Sequence, residues 1–83
     1  MAKVVIYTKD NCPYCQHAKE LLKHKGVAYT EIAVDKDQAQ LETMMRLSNR
    51  RTVPQIFIED KSIGGFDDLS ALNTSGELDK LLK

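Results

Sequence analysis

Apolar and polar positions change their period several times along this chain, and each change marks a new element. Residues 3–8, "KVVIYT", form a compact β-branched and aromatic run with the length of a buried strand. From Pro13 the spacing becomes helical. Ala18, Leu21, Leu22 and Lys25 fall at i, i+3, i+4 and i+7, and Gly26 supplies the stop. "AYTEIAV" (28–34) alternates as a second strand. Asp37 is placed as an N-cap with Gln40 at the capping-box position. Leu41, Met44, Met45 and Ser48 carry that helix on one face to a stop at Asn49, with both methionines as core fillers. "QIFI" (55–58) and "KSI" (61–63) flank "ED" and predict a tight hairpin. Gly64 and Gly65 break the strand, and Leu69 and Leu72 mark a third helix. Thr74 with Glu77 reads as a second capping box, leading into Leu78, Leu81 and Leu82.

The order is β-α-β-α-β-β-α-α, an α/β chain. Its first β-α-β is expected to be a right-handed parallel unit. The last two strands pair antiparallel through their short turn, giving a mixed sheet flanked by helices. With 83 residues, one domain spanning 1–83 with one modest core is expected. Apolar content of 42% and charged content of 29% fit a folded chain and not a disordered one. Twelve basic side chains balance twelve acidic ones, which argues against nucleic-acid binding through a general basic surface. The apolar run near the start is too short for a signal-peptide core or a membrane span. Only two cysteines are present, fewer than a small secreted scaffold carries, so the expected compartment is a reducing one, the cytoplasm.

Those cysteines, Cys12 and Cys15, sit in "CPYC" between the first strand and the first helix. As a staple they would close a four-residue loop worth only about 2 kcal/mol. As zinc ligands they lack companions, because His17 and His24 share one helix and miss the required spacing. A redox pair fits the position. Cys12 stands at a helix mouth, where unpaired N–H groups near Tyr14 and Cys15 and the macrodipole favour negative charge. Pro13 sits in the first turn without loss. Cys15 lies one turn deeper on the same face. This asymmetry makes Cys12 the attacking thiol and Cys15 the resolving one. A stabilised thiolate gains little in attack but leaves a mixed disulfide faster, so such a site is built for exchange.

"CPYC" after a strand, "TVPQIFI" at 52–58 and "IGGFDDL" at 63–69 together resemble the glutaredoxins, in an order that spans essentially the whole chain. Three motifs in order are far more specific than CxxC alone. The resemblance implies a thioredoxin-like fold with a four-stranded mixed sheet, and glutathione-dependent thiol–disulfide exchange through Cys12 and Cys15. It implies a cis peptide bond before Pro54, beside the dithiol, with the Val53 backbone facing the site. It also implies a glutathione site. Amides near Phe66, Asp67 and Asp68 would take the γ-glutamyl carboxylate, and an aspartate its amino group. Lys9 and Tyr14 would meet the glycyl end, with Thr52 and Val53 along the middle. Arg50 and Arg51 are read as solvated loop arginines, and the aspartates also complement the helix dipole.

No metal and no tightly bound cofactor are expected, with glutathione as the reductant. The implied partners are glutathione and disulfide-containing or glutathionylated proteins, ribonucleotide reductase being a family-level candidate. The chain is expected to act as a monomer, with neither nucleic acid nor membrane as partner. Two alternatives remain. One is a redox carrier reduced by a thioredoxin reductase, against which the GG-x-D-D segment speaks. The other is a dimer sharing an iron–sulfur cluster through Cys12 and glutathione, against which the family trend places Pro13.

Overall fold

Alternation along the first strand decides which face each helix covers. In the computed structural model, which describes residues 2–83, β1 spans Val4–Thr8. Val4 and Ile6 point to one side of the sheet, into a core with Ala18, Leu22, Ile56, Ile58, Leu69, Leu78 and Leu82. Tyr7 points to the other side, with Val34, Met44 and Phe57. The helix α1 (Pro13–His24) therefore packs on the first face, together with α3 (Phe66–Ser75) and α4 (Glu77–Leu81). The second face is covered by α2 (Gln38–Ser48), through Met44. Burying a leucine or isoleucine at such positions contributes about 1.5–3 kcal/mol each.

The strand β2 (Thr30–Ala33) pairs parallel with β1, as a β-α-β unit requires. Antiparallel pairing joins β1 to β3 (Gln55–Ile58) and β3 to β4 (Lys61–Gly64), so the sheet order is β2-β1-β3-β4. Glu59 and Asp60, both at positive φ (51° and 65°), make the two-residue turn that suits a hairpin's twist. Asp37 caps α2 by accepting from the N–H groups of Ala39 and Gln40, and Asn49 ends it in a left-handed conformation.

One expectation is corrected. Thr74 does not cap the last helix: α3 runs on through it, and its hydroxyl donates back to the Ser70 carbonyl. The break falls at Gly76 (φ 86°), and Ser75 Oγ accepts from Glu77 N–H instead.

Register brings the functional segments to one end of the sheet. Tyr7 pairs with Gln55 and Ile56 with Gly64, so the loop after β1, the loop before β3 and the start of α3 converge. No helix among the described residues is long and apolar enough to cross a membrane.

Candidate active site

Asn11 takes a left-handed turn (φ 56°) that delivers Cys12 in extended backbone to the N-cap of α1. There Cys12 Sγ accepts the N–H of Cys15 at 3.2 Å, a donor the helix leaves free because it lies in the first turn. Pro13 opens the helix behind it. Both thiols are free, and Cys12 is 8% exposed against 1% for Cys15. Burial, and then the side-chain hydrogen bond with Cys12, push the Cys15 thiol up from 9.0 to about 12, against smaller opposing effects of the Lys9 backbone and the Lys19 charge. At neutral pH Cys15 keeps its proton until a reaction removes it.

The loop before β3 faces this pair. Cys12 Sγ lies 3.9 Å from the Val53 carbonyl oxygen, at the outer limit of S–H donation. The Val53–Pro54 peptide bond is cis. Behind the loop, fully buried Gln55 donates from Nε2 to the Thr52 carbonyl (3.0 Å) and the Thr52 hydroxyl (3.3 Å). This amide fixes the chain two residues upstream of the cis bond.

A groove of about 250 Å³ leads away from the dithiol, lined by Tyr14, Arg50, Thr52, Val53, Pro54, Gly65, Phe66, Asp67 and Asp68. Tyr14, 60% exposed, stacks on Phe66 with ring centroids 6.2 Å apart, and His17 leans on both rings. At the far wall Asp68, in the first turn of α3, accepts the N–H of the N-cap Gly65 on its carboxylate at 3.1 Å. Arg50 Nη1 donates to the same oxygen at 2.9 Å. Arg50, and then Gly65 N–H, hold the Asp68 carboxyl below its ordinary range. Their stabilisation is thus fully present at neutral pH and fades as acid titrates Asp68 through that lowered value. Asp67 is exposed on the first turn of the same helix.

Seven of the residues singled out in the sequence, Tyr14, Thr52, Val53, Pro54, Phe66, Asp67 and Asp68, thus line one groove. Lys9 opens on an adjoining hollow with Val34, Asp35, Leu41 and Arg51, which meets the groove across Thr52 and Val53. Tyr14 stands at the Phe66 end of the groove. Arg50, read as a solvated loop arginine, is half exposed in its loop and also pairs with Asp68 at the groove wall. Gln55 drew no functional reading from the sequence either. A polar residue inside the apolar strand "QIFI" was the available signal.

A reduced Cys-x-x-Cys pair at a helix mouth, on a four-stranded mixed sheet with helices on both faces, defines a thiol–disulfide oxidoreductase of thioredoxin-like fold. The sequence profile described as glutaredoxin matches residues 4–63. The chain belongs to the glutaredoxin family, and its relatives place it with the glutaredoxin 3 type. It is 55% identical to glutaredoxin 3 of Escherichia coli K12 over 83 residues, the whole of both chains. Among solved structures, a glutaredoxin from Brucella melitensis aligns with a TM-score of 0.88 at 47% identity, covering 100% of this chain and 90% of that one. A buckwheat glutaredoxin–glutathione complex aligns with a TM-score of 0.89 at 31% identity, covering 98% and 76%. The activity is glutathione-dependent thiol–disulfide exchange.

Proposed function

We propose that this chain reduces both glutathione mixed disulfides and protein disulfides, with Cys12 as attacking thiol, Cys15 as resolving thiol and glutathione drawn from solution as reductant. The observation that carries this reading is the groove itself. It begins at Val53, whose carbonyl lies 3.9 Å from Cys12 Sγ, and ends at the start of α3. An extended peptide laid along it would pair with the Val53 backbone as an added strand does. Its carboxylate would then reach the free amides at Phe66, Asp67 and Asp68. The bound glutathione of the buckwheat relative supports the same use here. Asp67 or Asp68 would take the γ-glutamyl amino group, while Thr52 and Tyr14 flank the chain and Lys9 offers a cation from the adjoining hollow.

Two cysteines, too few for a small secreted disulfide scaffold, support a reducing compartment, the cytoplasm. Disulfide-forming enzymes such as ribonucleotide reductase are candidate protein partners.

Steady-state turnover of a small glutathione mixed disulfide, with glutathione, glutathione reductase and NADPH, tests this reading. Saturating turnover is expected there, and little when a thioredoxin reductase replaces glutathione. The opposite pattern would reassign the protein as a reductase-dependent carrier.

The groove's acidic wall has its own test. Asp68→Asn keeps an acceptor for Gly65 N–H but removes the charge and with it the half-exposed Arg50 pair, so stability should fall by no more than about 1 kcal/mol. If the charge binds the γ-glutamyl amine, KM for a glutathione mixed disulfide rises about three- to thirtyfold, from a charge-assisted bond discounted for exposure. Unchanged KM would leave Asp68 as a cap alone.

A further inference from the structure

Cys15 must lose a proton to resolve a mixed disulfide, yet it is the most deeply buried thiol and burial holds that proton on. The surroundings contain one group suited to ease the step. Lys19 lies one helical turn beyond Cys15 on α1, at the i+4 position that shares its face. Its side chain is only 16% exposed, and Nζ is pinned at 3.0 Å to Glu31 on β2. The same carboxylate oxygen accepts the hydroxyl of buried Thr8 at 2.7 Å, at the last position of β1 before the active-site loop. Thr8 follows Val4 and Ile6 in the strand's alternation and so faces α1, and Glu31, paired with Ile6, lies on that side.

A long, flexible lysine on a surface helix ordinarily samples many rotamers. Here groups on α1, β2 and β1 hold its charge in place, one helical turn along from Cys15. We infer that Lys19 is a positioning residue for the resolving step, a fixed cation, aligned by Glu31 and Thr8, that stabilises the negative charge developing on Cys15. The inference rests on the proposed roles of the two cysteines.

Starting from Cys12 joined by a disulfide to a substrate sulfur, Cys15 S–H gives its proton to solvent. The Cys15 sulfur then attacks Cys12 Sγ. A new Cys12–Cys15 disulfide forms, the bond to substrate breaks, and the substrate sulfur departs as a thiolate that takes up a proton. The dithiol is oxidised and the substrate reduced.

The groups that bear on Cys15 are few. From α1 come the Cys12 sulfur and Lys19, and from the loop after β1 the Lys9 backbone, with Lys19 lowering the thiol's pKa. Glu31 acts through Lys19, while Tyr29 bears on Lys19 and Lys23 on Glu31.

The test compares Lys19→Met, Lys19→Arg and Glu31→Gln by the rate at which preformed Cys12–glutathione mixed disulfide releases glutathione to form the internal disulfide. One unit charge removed at a partly hydrated separation on the order of 6–10 Å predicts a slowing of about three- to tenfold for Lys19→Met. Its rate–pH profile moves to higher pH. Lys19→Arg keeps the parent rate within about twofold. Glu31→Gln leaves an unneutralised lysine and runs at or above the parent rate, whereas a pair that only braces the fold would slow the reaction on loss of either partner. In the Cys15→Ser background, where a second glutathione does the resolving, Lys19→Met leaves turnover of glutathione mixed disulfides unchanged. Slowing that persists there, or equal slowing by Glu31→Gln and Lys19→Met, overturns the inference. Loss of all activity in Cys15→Ser alone overturns the underlying cysteine roles instead. Should Lys19→Met fold poorly, the Glu31→Gln and Lys19→Arg rates still decide, since slowing in both contradicts a role for the charge.

Discussion

Cys12→Ser is expected to abolish reduction of both glutathione mixed disulfides and protein disulfides, while Cys15→Ser abolishes only the second. Cys12 holds the N-cap position, where its sulfur takes a free helix N–H, and it opens toward the groove at Val53. Cys15 sits behind it, 1% exposed and with a thiol that burial keeps protonated. An incoming mixed disulfide therefore meets Cys12. If the substrate carries glutathione, a second glutathione from solution can release it and Cys15 is dispensable. A protein disulfide leaves a bulky mixed disulfide on Cys12, and the internal thiol one turn away removes it. The check is a pair of assays on folded variants, one with a glutathionylated substrate and one with an insulin-type disulfide. Loss of both in Cys15→Ser would defeat the division of roles.

Gly64→Ala should destabilise the fold by about 1–3 kcal/mol and damage the groove at the same time. Gly64 ends β4 at φ 113°, a backbone conformation that side chains resist. A Cβ there would also run into the Asp68 carboxylate and come within 3.0 Å of Arg50 Nη1. The strained backbone and the displaced Arg50–Asp68 pair lie at one point. Gly76→Ala is the control, because its φ is 86° but nothing lies within 4 Å of the added carbon. Thermal unfolding should drop by roughly 4–8 °C per kcal/mol lost in a domain of this size. Gly64→Ala should fall further than Gly76→Ala and alone raise KM for a glutathione mixed disulfide. Equal losses with unchanged KM would mean the groove does not depend on that close approach.

How much of this is legible in the sequence follows from the range of each interaction. Asp37 as N-cap, Asn49 as stop, Pro13 in a first turn and Cys12 at a helix mouth are local, so residue type and spacing reveal them. Strand alternation likewise foretells which face of the sheet a side chain takes. The sheet order is less accessible, because β1 must sit between β2 and a strand more than forty residues away. Arg50–Asp68 spans 18 positions and Thr8–Glu31 spans 23, with no periodicity to advertise either pair. Gln55 holding Thr52 is short-range, yet its meaning depends on a loop whose shape composition does not reveal. Thr74 misleads for a physical reason. A threonine hydroxyl satisfies a helix start and a carbonyl four residues back equally well, and here it takes the second.

The most direct test of the account is to locate the glutathione during turnover. Reduced Cys15→Ser and Cys12→Ser proteins are each exposed briefly to glutathione disulfide, quenched in acid and mapped by peptide mass spectrometry. The account predicts one glutathionyl group on Cys12 in the first protein, released by added glutathione, and negligible uptake by Cys15 in the second. Uptake on Cys15 as fast as on Cys12 would contradict it.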